Sequence, residues 1–176
     1  MSLKKYTVLS FLILTISGNV FAEWNIVTHT DTDSDAQTEV AYTKNKDGYS
    51  LEIYRDASGT IRSRFGMKNA LLRLAEKSCP TFQVDKREIT NRSTNDARCI
   101  SNQLWAEFIL GYISNNEVRS TSLHNIMNGH KIYYRFILEN GGYGETDFSL
   151  SGSKNILRQV LGRKLKVRTD SGFSVD

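Results

Sequence analysis

The alternation of apolar and polar positions is clearest between His130 and Gly162. Ile132, Tyr134, Phe136 and Leu138 share one face of a run that continues into Asn140-Gly141-Gly142. Thr146, Phe148 and Leu150 then alternate with Glu145, Asp147 and Ser149. Two period-2 runs joined by residues that tolerate positive φ predict a β-hairpin. A three-residue loop sets Phe148 opposite Tyr134 and Asp147 opposite Arg135, matching like with like on both faces. Ser151-Gly152-Ser153 reads as a helix start, and Ile156, Leu157, Val160 and Leu161 recur at helical spacing before Gly162.

Upstream the same period-2 pattern recurs. Trp24 to Thr30 reads as a first strand, and Val40 to Thr43 as a short second one. After the Lys44–Gly48 turn, Tyr49, Leu51 and Ile53 alternate with Ser50, Glu52 and Tyr54. Asp56-Ala57-Ser58-Gly59 turns the chain into Ile61, Ser63, Phe65 and Met67, whose opposite face carries Arg62, Arg64 and Lys68. Leu71, Leu72, Leu74 and Ala75 suggest a short helix over 69–77, ended by Cys79-Pro80, and Phe82, Val84 and Lys86 suggest another strand. Residues 103–112 fit both periods; the density of Trp105, Phe108, Ile109 and Tyr112 favours a strand. Ser120-Thr121 predicts a capped helix carrying Leu123, Ile126 and Met127, closed by Asn128-Gly129. The expected fold is mainly β, a single antiparallel β-sandwich or open barrel with one or two short helices, one of them C-terminal.

The N-terminus adds a compartment. Lys4 and Lys5 precede an apolar stretch from Val8 to Ile16, and Val20-Phe21-Ala22 offers a cleavage site. Residues 1–22 therefore read as a secretory signal, too short in its apolar core to span a bilayer, followed by one exported domain over 23–176. The predicted location is periplasmic, outer-membrane-associated or secreted. Cys79 and Cys99 form an even pair in an oxidising compartment, which favours a disulfide over a reactive Cys99 thiol.

Charge narrows the partners. The formal charge of +4 falls to +2 without Lys4 and Lys5, so no strong basic bias suggests nucleic acid. The local excess is Arg163-Lys164-Leu165-Lys166-Val167-Arg168, either a solvated, loosely ordered basic tail over 163–176 or a contact to an anionic membrane surface. Arg62, Arg64 and Lys68 form the other candidate binding face, or else the wet side of an antiparallel sheet. If they bind, reversing Arg62 and Arg64 to Glu is expected to leave folding intact but weaken association with anionic envelope fractions.

Chemistry is sparse. Asp31, Asp33 and Asp35 resemble the start of a calcium loop, but Ala36 and Tyr42 stand where Gly and Glu are needed, so a polar surface loop is the better reading. Asn91-Arg92-Ser93 is a glycosylation sequon by pattern only. His29, His124 and His130 lack metal-ligand spacing, and no phosphate loop or nucleophile elbow is present. No metal, cofactor or catalytic group is expected. The leading function is a non-catalytic exported module that binds an envelope component or another protein, of unknown oligomeric state. The alternatives are a periplasmic enzyme using Cys99 or Ser122 with His124 or His130 and an acid such as Asp147 or Glu145, and a small-ligand carrier lined by aromatic residues.

Leu123-x-x-Ile126-Met127-x-Gly129 and Phe148-Ser149-Leu150-Ser151-Gly152, running into an apolar helix, resemble the C-terminal part of the invasion-associated locus B family. The chain departs from that family's pattern at His29, near a common Cys position, and at Ser153, a usual aromatic position. The resemblance implies an exported bacterial envelope protein of antiparallel β fold, linked in some pathogens to host-cell entry, with no catalytic residues to carry over.

Overall fold

The computed structural model describes residues 23–30, 36–90 and 99–170; the signal segment, the Asp31–Asp35 loop, the sequon and the last six residues lie outside them. β1 (Asn25–Thr30), β2 (Gln37–Lys44), β3 (Ser50–Arg55) and β4 (Thr60–Gly66) form an antiparallel meander. β7 (Trp105–Tyr112) pairs with β4, and β6 (Cys99–Ser101) with β7, completing a six-stranded sheet in the order β1-β2-β3-β4-β7-β6. A second sheet places β9 (Lys131–Ile137) between β10 (Tyr143–Ser149) and β5 (Thr81–Val84). β8 (Glu117–Arg119) pairs in parallel with β11 (Lys166–Arg168). The described helices are α1 (Thr121–Asn128) and α2 (Ser153–Leu161).

Alternation decides how the two larger sheets meet. Leu51, Ile53, Ile61, Phe65 and Phe108 are buried from one, and Phe82, Ile132, Tyr134, Phe136 and Phe148 from the other. Phe65 stacks on Tyr134 with ring centres 4.7 Å apart, and Phe82 meets Phe108 edge-on at 5.3 Å. Offset and edge-on contacts between rings of opposite sheets make this a β-sandwich, not a closed barrel. Tyr49, Phe65, Phe82, Phe108, Tyr134, Phe136 and Phe148 fill the interior. α2 lays Leu157 and Leu161, both buried, against β2 and β3. The Cys79–Cys99 disulfide forms, joining the segment before β5 to β6 and so linking the two sheets. Closing a loop of this length stabilises a fold by roughly 3 kcal/mol through the unfolded chain.

Several local expectations need revision. The hairpin register differs by two residues: Phe148 faces Ile132 and Thr146 faces Tyr134, with Asp147 opposite Tyr133 and Glu145 opposite Arg135. A two-residue shift keeps every side chain on its face, so the buried set is unchanged. The three-residue loop lies one residue earlier than expected: the Leu138 N–H bonds the Gly142 carbonyl, leaving Glu139-Asn140-Gly141 as the connection, while Leu138 bridges to Leu74 and the Glu139 N–H reaches the Arg73 carbonyl. Gly144 is required where it stands, since a Cβ there would collide with the Phe136 ring.

Residues 69–77 are not helical. Asn69 accepts the Leu71 and Leu72 N–H groups in a turn, after which Leu74 and Ala75 bond the carbonyls of Gln103 and Ile137. Long-range backbone partners outcompete helix propensity here. α2 starts from Gly152 at φ 82° with no side-chain cap; the Ser153 hydroxyl instead turns inward and donates to the Ile126 carbonyl. α1 matches its expectation, with the Ser120 hydroxyl accepting the Leu123 N–H at 3.1 Å. Residues 105–112 are strand, and β6, β8 and β11 are strands that periodicity did not announce.

Candidate functional site

The two clusters of cations that the sequence singles out are built differently. On the outer face of the six-stranded sheet, β4 turns Arg62 and Arg64 away from the core because Ile61, Ser63 and Phe65 face inward. The register brings Glu107 of β7 opposite Arg64, and Glu52 of β3 lies on its other side. Arg64 donates to Glu107 through Nε and Nη2 at 3.1 and 2.8 Å, and Arg62 Nη1 reaches the other carboxylate oxygen at 3.0 Å. Arg62 Nε also donates to Asp56 at 2.7 Å, and Arg64 Nη1 lies 3.7 Å from Glu52. The Tyr54 hydroxyl donates to Glu107 at 2.6 Å, and the Arg64 guanidinium carbon stands 4.9 Å from the Trp105 ring centre. Glu107 is only 8% exposed.

Burial works against ionising Glu107, but the bonds from Tyr54, Arg64 and Arg62 outweigh it and hold the carboxyl below its usual range. Partial burial likewise opposes ionisation of Asp56, yet hydrogen bonds from Ser58, Arg62 and two backbone N–H groups bring its pKa down to about 2. Burial, then the bond to Glu107, push the Tyr54 hydroxyl up.

The expected cationic face is therefore charge-matched: two guanidiniums meet three carboxylates. Lys68 stands apart, its ammonium 5.6 Å from the Tyr49 ring centre, sharing none of these partners. Reversing Arg62 and Arg64 would put carboxylates against Glu107, so the expectation that folding survives that change is withdrawn. Glu107 and Trp105 were missed as partners because the β4–β7 pairing is non-local, whereas Asp56 and Tyr54 belong to the local β3–β4 hairpin, and Glu52 and Tyr54 were legible as the polar face of β3.

The residues of the enzyme alternative are not assembled. Cys99 is in the disulfide. Asp147 pairs with Lys131 at 3.0 Å, Glu145 with Arg135 at 2.8 Å, and His130 lies 3.7 Å from Asp85. Among the described residues no hydrogen bond joins Ser122, His124 or His130 to one another or to Asp147 or Glu145, and no group of His, Cys, Asp and Glu is placed to hold a metal ion. No described helix is long and apolar enough to cross a membrane.

The second surface is the unit formed by α2, the Gly162 turn and β11. Over residues 151–168 it carries Lys154, Arg158, Arg163, Lys164, Lys166 and Arg168 and no acidic residue, and all six cations are exposed. Burial of Leu157 and Leu161 fixes which side of α2 faces outward, and that side presents Lys154 and Arg158. Arg168 pairs with Glu117 at 2.9 Å, and Lys154 donates to the Asn128 side chain. Arg158, Arg163, Lys164 and Lys166 have no carboxylate within ion-pair distance among the described residues. Lys166–Arg168 is ordered as a strand, not a loose tail, and its Lys166 N–H bonds the Asn116 carbonyl.

With the geometry in place, the architecture can be compared with solved structures. The chain superimposes on the crystal structure of invasion associated protein B from Bartonella henselae with a TM-score of 0.51, over 80% of this chain and 93% of that one, at 11% identity. The two share a fold. The C-terminal resemblance read from the sequence thus extends to the architecture of most of the chain. No family model matches the sequence, and no curated protein does.

Proposed function

We propose that this chain is an exported, non-catalytic envelope protein that works by binding, and that α2 and β11 seat it on an anionic membrane surface. The observation that carries this reading is charge segregation: six exposed cations without an acid over residues 151–168, four of them with no carboxylate partner among the described residues. Such cations act together on a surface of opposite sign, each contributing about 1 kcal/mol near an anionic leaflet. The disulfide fits an oxidising compartment. The shared fold with a protein described as invasion associated supports a setting at the bacterial surface during host-cell entry.

The test is co-sedimentation with phosphatidylglycerol-containing and purely phosphatidylcholine vesicles. Binding restricted to the anionic vesicles is expected, together with a loss of about 100-fold on changing Arg158, Arg163 and Lys164 to Gln, each cation counting about 1 kcal/mol. Equal retention by neutral vesicles, or an unaffected triple variant, would refute the reading.

A further inference from the structure

The sheet edges of this molecule are treated unequally. The outer edge of β10 is covered: the carbonyls of Asp147 and Ser149 accept hydrogen bonds from the Asn45 side chain and the Trp24 indole, both at 2.9 Å. The outer edge of β5 is occupied by Thr90, whose N–H and carbonyl bond Phe82. β6 is only three residues long. A short, covered or side-chain-capped edge cannot template another strand. β1 has none of these devices. It runs for six residues, pairs regularly with β2, and contains no proline, lysine, arginine or acid. Among the described residues nothing bonds its outer backbone groups.

We infer that the free edge of β1 pairs antiparallel with β1 of a second copy of this chain, joining two six-stranded sheets into one. The strand's own composition selects that occupant. Asn25-Ile26-Val27-Thr28-His29-Thr30 has no fixed charge with which to recognise an acidic or basic peptide, but it is rich in β-branched residues that pair well across strands. A two-fold axis normal to the sheet keeps each face on its own side, which admits only registers centred on a residue. Centred on Val27, the pairing sets Val27 on Val27, Ile26 on Thr28 and Asn25 on His29. Centred on Thr28, it sets Thr28 on Thr28, Val27 on His29 and Ile26 on Thr30. Neither register opposes the two histidines. The contact is isologous, so it closes as a dimer and does not propagate.

Sedimentation equilibrium on the exported protein, purified from cells expressing the full sequence, tests this directly. A concentration-dependent dimer is expected up to about 1 mM, where a contact of only ~4 kcal/mol is still populated. Changing Val27 and Thr28 together to Lys opposes like charges in either register and should return the protein to monomer with an unchanged circular dichroism spectrum. Single Val27→Cys and Thr28→Cys variants supply an independent measure, since a cysteine next to the axis crosslinks two copies on oxidation. A wild-type monomer throughout, a dimer that survives both lysines, or two cysteine variants that both fail to crosslink would overturn the inference.

Discussion

Arg62 and Arg64 on the sheet and Arg158, Arg163 and Lys164 on the α2–β11 unit are the same kind of residue in opposite circumstances. The first pair is half-buried, bonded by Glu107 and Asp56, and stacked beside Trp105. The second group is exposed and has no carboxylate partner among the described residues. The sheet cations serve the protein's interior order, because a desolvated guanidinium needs its carboxylate. The helix and turn cations keep their hydration and long reach, so their charge is available to something outside. Counting cations by face did not separate these cases. The carboxylates that arrive on neighbouring strands did.

The sharpest way to break the contrast is to remove the shared carboxylate. Glu107→Gln leaves Arg62 with Asp56 and Arg64 with Glu52 but removes the anion they share, and we expect a loss of about 3 kcal/mol in urea denaturation, the upper end for lost hydrogen bonds to charged groups. Next in size, Arg62→Gln with Arg64→Gln should leave vesicle binding per folded molecule unchanged, against the roughly 100-fold loss expected when Arg158, Arg163 and Lys164 are neutralised. Equal losses from both sets would erase the distinction.

Acid separates the regions in a third way. The folded pKa of Asp56, about 2, lies below its ordinary 3.8, and that of Glu107 lies below its ordinary 4.5. A depressed carboxylate contributes stability that is fully present above the unfolded value and disappears as pH falls through the folded one. Unfolding free energy should therefore decline as pH drops below about 4.5 and continue to fall toward pH 2, and Asp56→Asn should flatten the part below 3.8 by about 1–2 kcal/mol. The lysines and arginines of α2 and β11 are exposed. The smallest effect belongs to them: Arg163→Ala should alter stability by no more than about 0.5 kcal/mol, as at other exposed positions.

Much of the fold was legible, for reasons that differ by element. The β9–β10 hairpin, the two upstream strands and both helices are amphipathic, and their buried apolar residues are ones the pattern nominated. What failed was what depends on distant partners. Ser153 looked like a cap but bonds Ile126, and residues 69–77 had helix formers but found carbonyls on other segments. Four of the six cations of the charged surface were visible as the 163–168 run. Lys154 and Arg158 joined it only once α2 was oriented by Leu157 and Leu161.

By itself the sequence determined the β-rich class, the faces of its strongly periodic elements and the pairing of two cysteines, because periodicity and an even cysteine count are local or compositional properties. The hairpin register, the matching of Arg62 and Arg64 by Glu107, and the lack of a carboxylate partner for Arg158, Arg163, Lys164 and Lys166 among the described residues were decided only in the tertiary structure. Ion pairs and sheet edges depend on which strands become neighbours, and a strand carries no local mark of the residue that will stand opposite it.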